Sequence, residues 1–362
     1  MTGVSLRASA LASALGTDLA AAAANALDHV APQVRLMRAG RDWPYRAIPI
    51  DGVSWRARAE AIARQVAQDL RQRAGLAPAR WSALPCIIGS SSYSVGEGDT
   101  TGWPALEMPI DFCTALAHWF EVGGPLLAVS TACTSGLGAL EIAANFVRDG
   151  IFPEVLVLGV ELMNRLTLAG FAGLDLLSPG EARPCDRDRD GLVLGEALAA
   201  VLLCAGPGPW RIRAQALGVD AASLTGPAPE GTVIAQTMCR ALDEARWPAD
   251  QVDLVKLQAG GGPLADLAEA RAVHAVFARL PRVASLKGAL GHTLGASGPA
   301  ELALLLACLE RGRVPPTYGY ARRDDELGLD PSPGEASSVR RVLFNLSGFG
   351  GNVMTLALER ST

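Results

Sequence analysis

The 362-residue sequence lacks the features that would place it in several large functional classes. No apolar run approaches the roughly 18 residues that a transmembrane helix needs, so no membrane span is expected. No loop of the G-x-x-x-x-G-K type is present, which removes the commonest phosphate cradle. The seven cysteines, at 86, 113, 133, 185, 204, 239 and 308, show no zinc-knuckle spacing, and their number is odd. So few thiols in so long a chain do not make a disulfide framework, and a reducing, cytoplasmic setting is expected. Charged residues are only 19% and the net charge is −5, which speaks against a nucleic-acid binder. The stretch from Ala8 to Leu15 has the flavour of a weak secretion leader, but it is short and stops at Gly16-Thr17-Asp18.

The chain does have apolar residues in quantity, 49% of the total, enough for a sizeable core in one large domain or two fused halves. Short apolar runs alternate with helical patterns. Strands are expected at Pro85–Gly89, Leu126–Ser130 (a buried one), Glu154–Val160, Leu198–Cys204, Leu254–Leu257, Val283–Leu286, Val342–Leu346 and Val353–Leu358. Helices are expected at Leu137–Val147, Leu264–Phe277 and Gly295–Leu309, and loops at Ser90–Pro104 and Ala321–Ser338. The alternation predicts an α/β fold with covered sheets. The Gly/Pro-rich break at Gly206–Pro209 separates two halves with a shared rhythm, residues 1–206 and 207–362, which suggests a duplication.

Three segments stand out chemically. Cys133 sits in Ser130-Thr131-Ala132-Cys133-Thr134-Ser135-Gly136, on a turn from a strand into a helix that begins near Gly136. Helix N-termini carry partial positive charge and free N–H groups, so a thiol there should have a lowered pKa and act as a nucleophile. The bland alternative is a buried structural thiol. Lys287-Gly288-Ala289-Leu290-Gly291-His292 places a cation and one of only four histidines after a strand, as candidates for an orienting group and a general base. His274, by contrast, reads as packed within its helix. Ser347-Gly348-Phe349-Gly350-Gly351-Asn352 puts glycines around one aromatic between two strands, a form that suits close backbone approach to a ligand.

Taken in order, these motifs resemble the β-ketoacyl-ACP synthases of type II fatty acid and polyketide pathways. STACTSG looks like the nucleophile turn. Leu177–Ala197 is similar to the family's acidic-basic segment, KGALGH to its Lys…His motif, SGFGGN to its final loop and Ala14–Ala20 to its N-terminal loop. The resemblance implies a thiolase-like fold of two related βαβαβαββ halves in five layers, αβαβα, and a dimer. It implies that Cys133 takes an acyl group from an acyl carrier protein, with His292 steadying an enolate and Lys287 organising the site. The N–H groups of Cys133 and Phe349 would form an oxyanion hole, with Phe349 as gate between Gly348 and Gly350. Apart from the carrier's phosphopantetheine, no cofactor is implied.

One motif departs from the family. Its second catalytic His, in His-Gly-Thr-Gly-Thr, falls on Gln258-Ala259-Gly260-Gly261-Gly262, a register fixed by Asp266 and Glu269. Gln cannot exchange a proton near neutral pH. Ser347 stands where the family usually has Phe. The implied functions are therefore an acyltransferring condensing enzyme with a Cys-Gln-His site, a transferase to a non-malonyl acceptor, or a silent chain-length subunit paired with an active ketosynthase. Aryl polyene assembly is one such setting.

Overall fold

The computed structural model describes residues 3–101, 108–336 and 338–361. In chain order it opens with β1 (Val4–Ala12), α1 (Leu19–Leu27), β2 (Val34–Ala39), β3 (Arg41–Arg46), α2 (Trp55–Ala74), α3 (Pro78–Ser82), β4 (Cys86–Gly89) and α4 (Gly98–Thr101). There follow α5 (Pro109–Trp119), β5 (Leu126–Val129), α6 (Ser135–Arg148), β6 (Glu154–Glu161), α7 (Arg165–Gly173), β7 (Leu194–Gly195) and β8 (Ala197–Ala205). The second half runs β9 (Trp210–Val219), α8 (Thr232–Ala245), β10 (Leu254–Lys256), α9 (Pro263–Val276), β11 (Arg282–Ala284), α10 (Lys287–Leu290), α11 (Ser297–Glu310), β12 (Arg341–Ser347) and β13 (Asn352–Arg360).

Strand order reveals the duplication. The main sheet reads β11-β10-β12-β13-β9-β1-β8-β6-β4-β5. Outward from its centre, β1-β8-β6-β4-β5 and β9-β13-β12-β10-β11 have the same order in each half and the same sequence of antiparallel and parallel pairings. The two sets touch through only three residue pairs, Val4–Leu6 against Trp210–Ile212. Apolar residues of α1, α6 and α11 pack between the sets, α2 and α5 cover the first from outside, and α8 and α9 cover the second. This is the five-layered, thiolase-like α/β arrangement. The strands inside it are apolar on both faces because helices lie on both sides.

Most expected elements are present within a residue or two. The twenty-residue α2 was not foreseen: its alternating Arg and Ala content hides a stripe of Ala59, Ile62, Ala63, Val66 and Leu70. Ser90–Pro104 is not all loop, since α4 lies in it; its last residues, 102–104, fall outside the described ones, as does Ser337 of the second loop. Ala8–Ala12, which has a leader's composition, is the end of the buried strand β1. β5 corrects the expectation of a buried strand. It is the outermost strand of its set and half-exposed, with Leu127 at 41%. Among the described residues no strand pairs with its outer edge. His274 is exposed rather than packed, and meets the Leu327 carbonyl at 2.9 Å.

Candidate active site at Cys133

The central-layer helices α6 and α11 and the ends of β10 and β12 converge on Cys133. Ala132, just before it, holds φ of 53° in the left-handed region, a conformation that persists only where neighbours enforce it. The turn supplies its own restraints. Ser135 Oγ donates to the Ala132 carbonyl at 2.6 Å and accepts from the Thr131 N–H at 2.9 Å, and Thr134 Oγ1 donates to the Thr131 carbonyl at 2.7 Å. The small polar residues around Cys133 thus lock the bend that presents the sulfur.

His292 Nε2 lies 3.2 Å from Cys133 Sγ. Two backbone bonds fix the histidine, from its N–H to Val193 O at 2.8 Å and from the Gly195 N–H to its own carbonyl at 3.1 Å. On the far side of the ring, Nδ1 faces Ser297 Oγ at 3.4 Å, and Ser297 Oγ lies 3.2 Å from Lys287 Nζ. Burial, then the charges of Lys287 and Lys256, hold His292 well below its ordinary pKa, so the imidazole is neutral. Lys287 opens α10 rather than sitting at a loop tip, is 1% exposed, and pairs with Glu301. It reaches the reacting pair through Ser297.

The sulfur corrects the sequence reading. Burial pushes the Cys133 thiol up to about 11, although the Phe349 N–H and Lys287 pull the other way. Desolvation of a thiolate in a site only 3% exposed outweighs the turn's N–H groups. Cys133 therefore rests as a thiol, with the neutral His292 Nε2 within hydrogen-bond distance of its sulfur. Alkylation of Cys133 by iodoacetamide should still be rising at pH 9, with site-resolved peptide masses as the readout and the exposed Cys239 as internal reference. A plateau reached below pH 8 would contradict this.

The final glycine loop comes up against the nucleophile. A Cβ on Gly348 would sit 3.1 Å from Cys133 Cβ. Gly351, with φ of 79°, packs so tightly that a Cβ would lie 1.8 Å from the Asp220 carbonyl oxygen. Gly350 shares the left-handed region and donates its N–H to Leu224 O at 2.9 Å. The Phe349 ring stacks on Phe171 at 5.0 Å and 12°, and Phe171 meets His292 edge-on at 6.2 Å. Phe171, on α7, was not anticipated.

Gln258 belongs to the same place. It lines a cavity of about 550 Å³ with Cys133, His292, Ser347 and Phe349. Its Oε1 is buried without a hydrogen-bond partner among the described residues. Its loop is held from beneath. Glu269 accepts from the N–H groups of Gln258 (2.7 Å) and Ala259 (2.8 Å), and Asp266 from those of Gly260 (3.0 Å) and Cys185 (2.9 Å). Burial raises both carboxyls to about 6, against those bonds. A second hollow, about 1030 Å³ and lined mainly by apolar groups, lies on the other side of the nucleophile turn, between β5, α6, β9 and α8; Thr131 and Thr134 face it.

Sequence reasoning also missed Lys256 and Glu301. Lys256 is the one charge in LVKL and Glu301 opens the apolar run ELALLLACL, and such residues are almost never fully buried unless paired. They are each other's partners, at 2.5 Å.

A five-layered α/β protein with a buried Cys facing a neutral His across its two halves falls in the thiolase-fold class. Comparison with known proteins narrows this. Residues 57–206 match the family description "Beta-ketoacyl synthase, N-terminal domain" and residues 211–321 match "Beta-ketoacyl synthase, C-terminal domain". The chain belongs to the β-ketoacyl synthase family. It is 34% identical over 70% of its length to the tetracenomycin polyketide synthase ketoacyl synthase alpha subunit of Streptomyces glaucescens. It is 33% identical over 67% of its length to 3-oxoacyl-[acyl-carrier-protein] synthase 2 of Coxiella burnetii. The matched regions span 64% and 63% of those relatives, a little under two thirds. The fold is shared throughout with the ketosynthase (ApeO) in complex with its chain length factor (ApeC) from Xenorhabdus doucetiae. There the TM-score is 0.85 at 23% identity, over 99% of this chain and 98% of that one. A β-ketoacyl synthase from Burkholderia phymatum gives 0.87 at 23% identity, over the whole of both chains.

Proposed function

We propose that this chain accepts an acyl group on Cys133 from an acyl carrier protein, for carbon–carbon condensation in fatty acid or polyketide assembly. The observation that carries the reading is Cys133 Sγ at 3.2 Å from the neutral imidazole of His292, in a cavity open to substrate. In the loading step the thiol proton passes to His292 Nε2 and the sulfur attacks the carrier's thioester. The carrier's thiolate then leaves with that proton. The N–H groups of Cys133 and Phe349 serve the oxyanion. The apolar hollow beside Thr131 and Thr134 takes the acyl chain. In the second step a malonyl thioester loses carbon dioxide and its carbanion attacks the loaded thioester; the acyl carbon–Cys133 Sγ bond breaks, and the sulfur leaves as thiolate and takes a proton from solvent to return to the thiol. His292 steadies the enolate oxygen, and Gln258 offers an N–H where a histidine would also handle a proton.

The half-exposed edge of β5 suits pairing with a second chain, so the working form is a dimer, of like chains or with a ketosynthase. The second reading is a silent chain-length subunit in such a pair. The Gln258 Oε1, without a hydrogen-bond partner among the described residues, favours it, and the Cys133–His292 pair opposes it. The carrier's phosphopantetheine brings all the cofactor chemistry, and the setting is the cytoplasm. Among the described residues no helix is long and apolar enough to cross a membrane.

The test is to incubate the protein with acyl carrier protein in acyl and malonyl forms and to read intact masses, beside Cys133→Ala. An acyl adduct absent from Cys133→Ala is expected. An elongated product would add condensation. No adduct and no product would overturn the stand-alone reading, and co-purification with a ketosynthase would then be sought.

A further inference from the structure

The sequence contains thirty arginines and only two lysines, Lys256 and Lys287. Both are buried to within 1% and both bind one carboxylate, Glu301, which is fully buried on α11. Everywhere else this chain uses the guanidinium. An ammonium differs in being a compact point charge whose pKa responds to its surroundings. Lys287 takes Glu301 Oε1 and Lys256 takes Oε2. Lys256 Nζ also donates to the Asn345 carbonyl at 3.0 Å and lies 4.1 Å from the centre of the Phe344 ring.

We infer that Lys256 is a positioning residue of the Cys133 site. By holding the second oxygen of Glu301 and the Asn345 carbonyl, it fixes the Lys287–Ser297–His292 relay and ties it to the loops bearing Gln258 and Phe349. The inference rests on Cys133 and His292 being the reacting pair. The buried path is continuous. Asn345 Nδ2 donates to Glu269, which holds the Gln258 and Ala259 N–H groups, while the Asn345 backbone takes Lys256. From Lys256 the path crosses Glu301 to Lys287, then Ser297, then His292 and Cys133. One cation thus braces three loops that come from different strands. It also bears on His292 directly, with Lys287, in keeping that ring neutral. The charged groups facing Lys256 are Glu301 from α11, Lys287 from α10 and Glu269 from α9; His292 faces Cys133 and both lysines. Burial brings Lys256 down to about 8, with Glu301 opposing the fall.

The scarcity of lysine makes the test direct. Protein labelled at lysine 13Cε and histidine 13Cε1 has two lysine side-chain signals and four histidine signals to follow. In Lys256→Met, which keeps the length and removes the charge, the His292 midpoint should rise by about half a pH unit or more. The Lys287 signal should shift as well, because Glu301 is no longer shared. A folded Lys256→Met with both signals in their parental positions would overturn the inference. Should that variant not fold, the parent protein decides. A Lys256 signal titrating near 8, with Lys287 and His292 moving at the same midpoint, supports the brace. A Lys256 signal that titrates while the Lys287 and His292 signals stay in place refutes it. No readout depends on acyl transfer, so failure here leaves the proposed function standing.

Discussion

Replacing Gln258 with His is expected to raise decarboxylation of a malonyl thioester by about 10²- to 10⁴-fold, the usual contribution of one proton-handling group. The site is prepared for the exchange. Gln258 lines the cavity of Cys133 and His292, and its backbone is pinned by Glu269 whatever side chain it carries. Its Oε1 has no hydrogen-bond partner among the described residues, so no bond to that oxygen is lost with it. An imidazole there would line the same cavity as Cys133 and His292. Gly260 and Gly262, at the two Thr positions of the resembled motif, stay unchanged, so the gain should appear in kcat more than in KM. The measurement is carbon dioxide release from malonyl carrier protein by Gln258→His beside the parent. An unchanged rate in a variant whose Cys133 still loads would remove Gln258 as the limiting group and shift weight to the chain-length subunit.

Glu301→Gln should cost about 3–5 kcal/mol of stability at neutral pH, the range found when one partner of a buried ion pair is removed. Burial pushes the Glu301 carboxyl up, yet Lys256 and Lys287 together pull it below its ordinary value, so the carboxylate is the form the fold uses. Without that charge Lys256, already near 8, falls further. An unfolded lysine titrates near ~10.4. Between the depressed folded value and ~10.4 the unfolded chain binds more protons, so stability rises with pH across that window. The deficit of Glu301→Gln should therefore be largest near pH 7 and shrink toward pH 10. Urea denaturation at several pH values reads it. A deficit under about 1 kcal/mol, or one independent of pH, would show that the lysines do not rely on Glu301.

Both predictions involve residues of different legibility. Gln258 could be found because its loop is followed by recognisable landmarks, Asp266 and Glu269, which the structure shows to be the two carboxylates holding that loop. Glu301 could not be found by motif. It looks like one more residue of an apolar helix, and only the approach of β10 and α10 to α11 gives it two cations. A charge in an apolar run signals that a partner exists but not which one. Phe171 was missed for a related reason, since its role comes from stacking on an aromatic far along the chain.

By itself the sequence determined the alternation of strands and helices, the family, and Cys133 and His292 as the candidate site pair. Each of these is written in local order, as apolar periodicity, a Ser/Thr-rich turn or a glycine-flanked motif. Only the tertiary structure decided the state of those residues. That Cys133 is a high-pKa thiol follows from burial between the two halves, which no local pattern records. That β5 is an open edge follows from strand order. That two lysines lean on one glutamate follows from three elements meeting in the core. Local sequence sets backbone preference and chemistry, whereas desolvation and charge pairing depend on what the rest of the chain brings near.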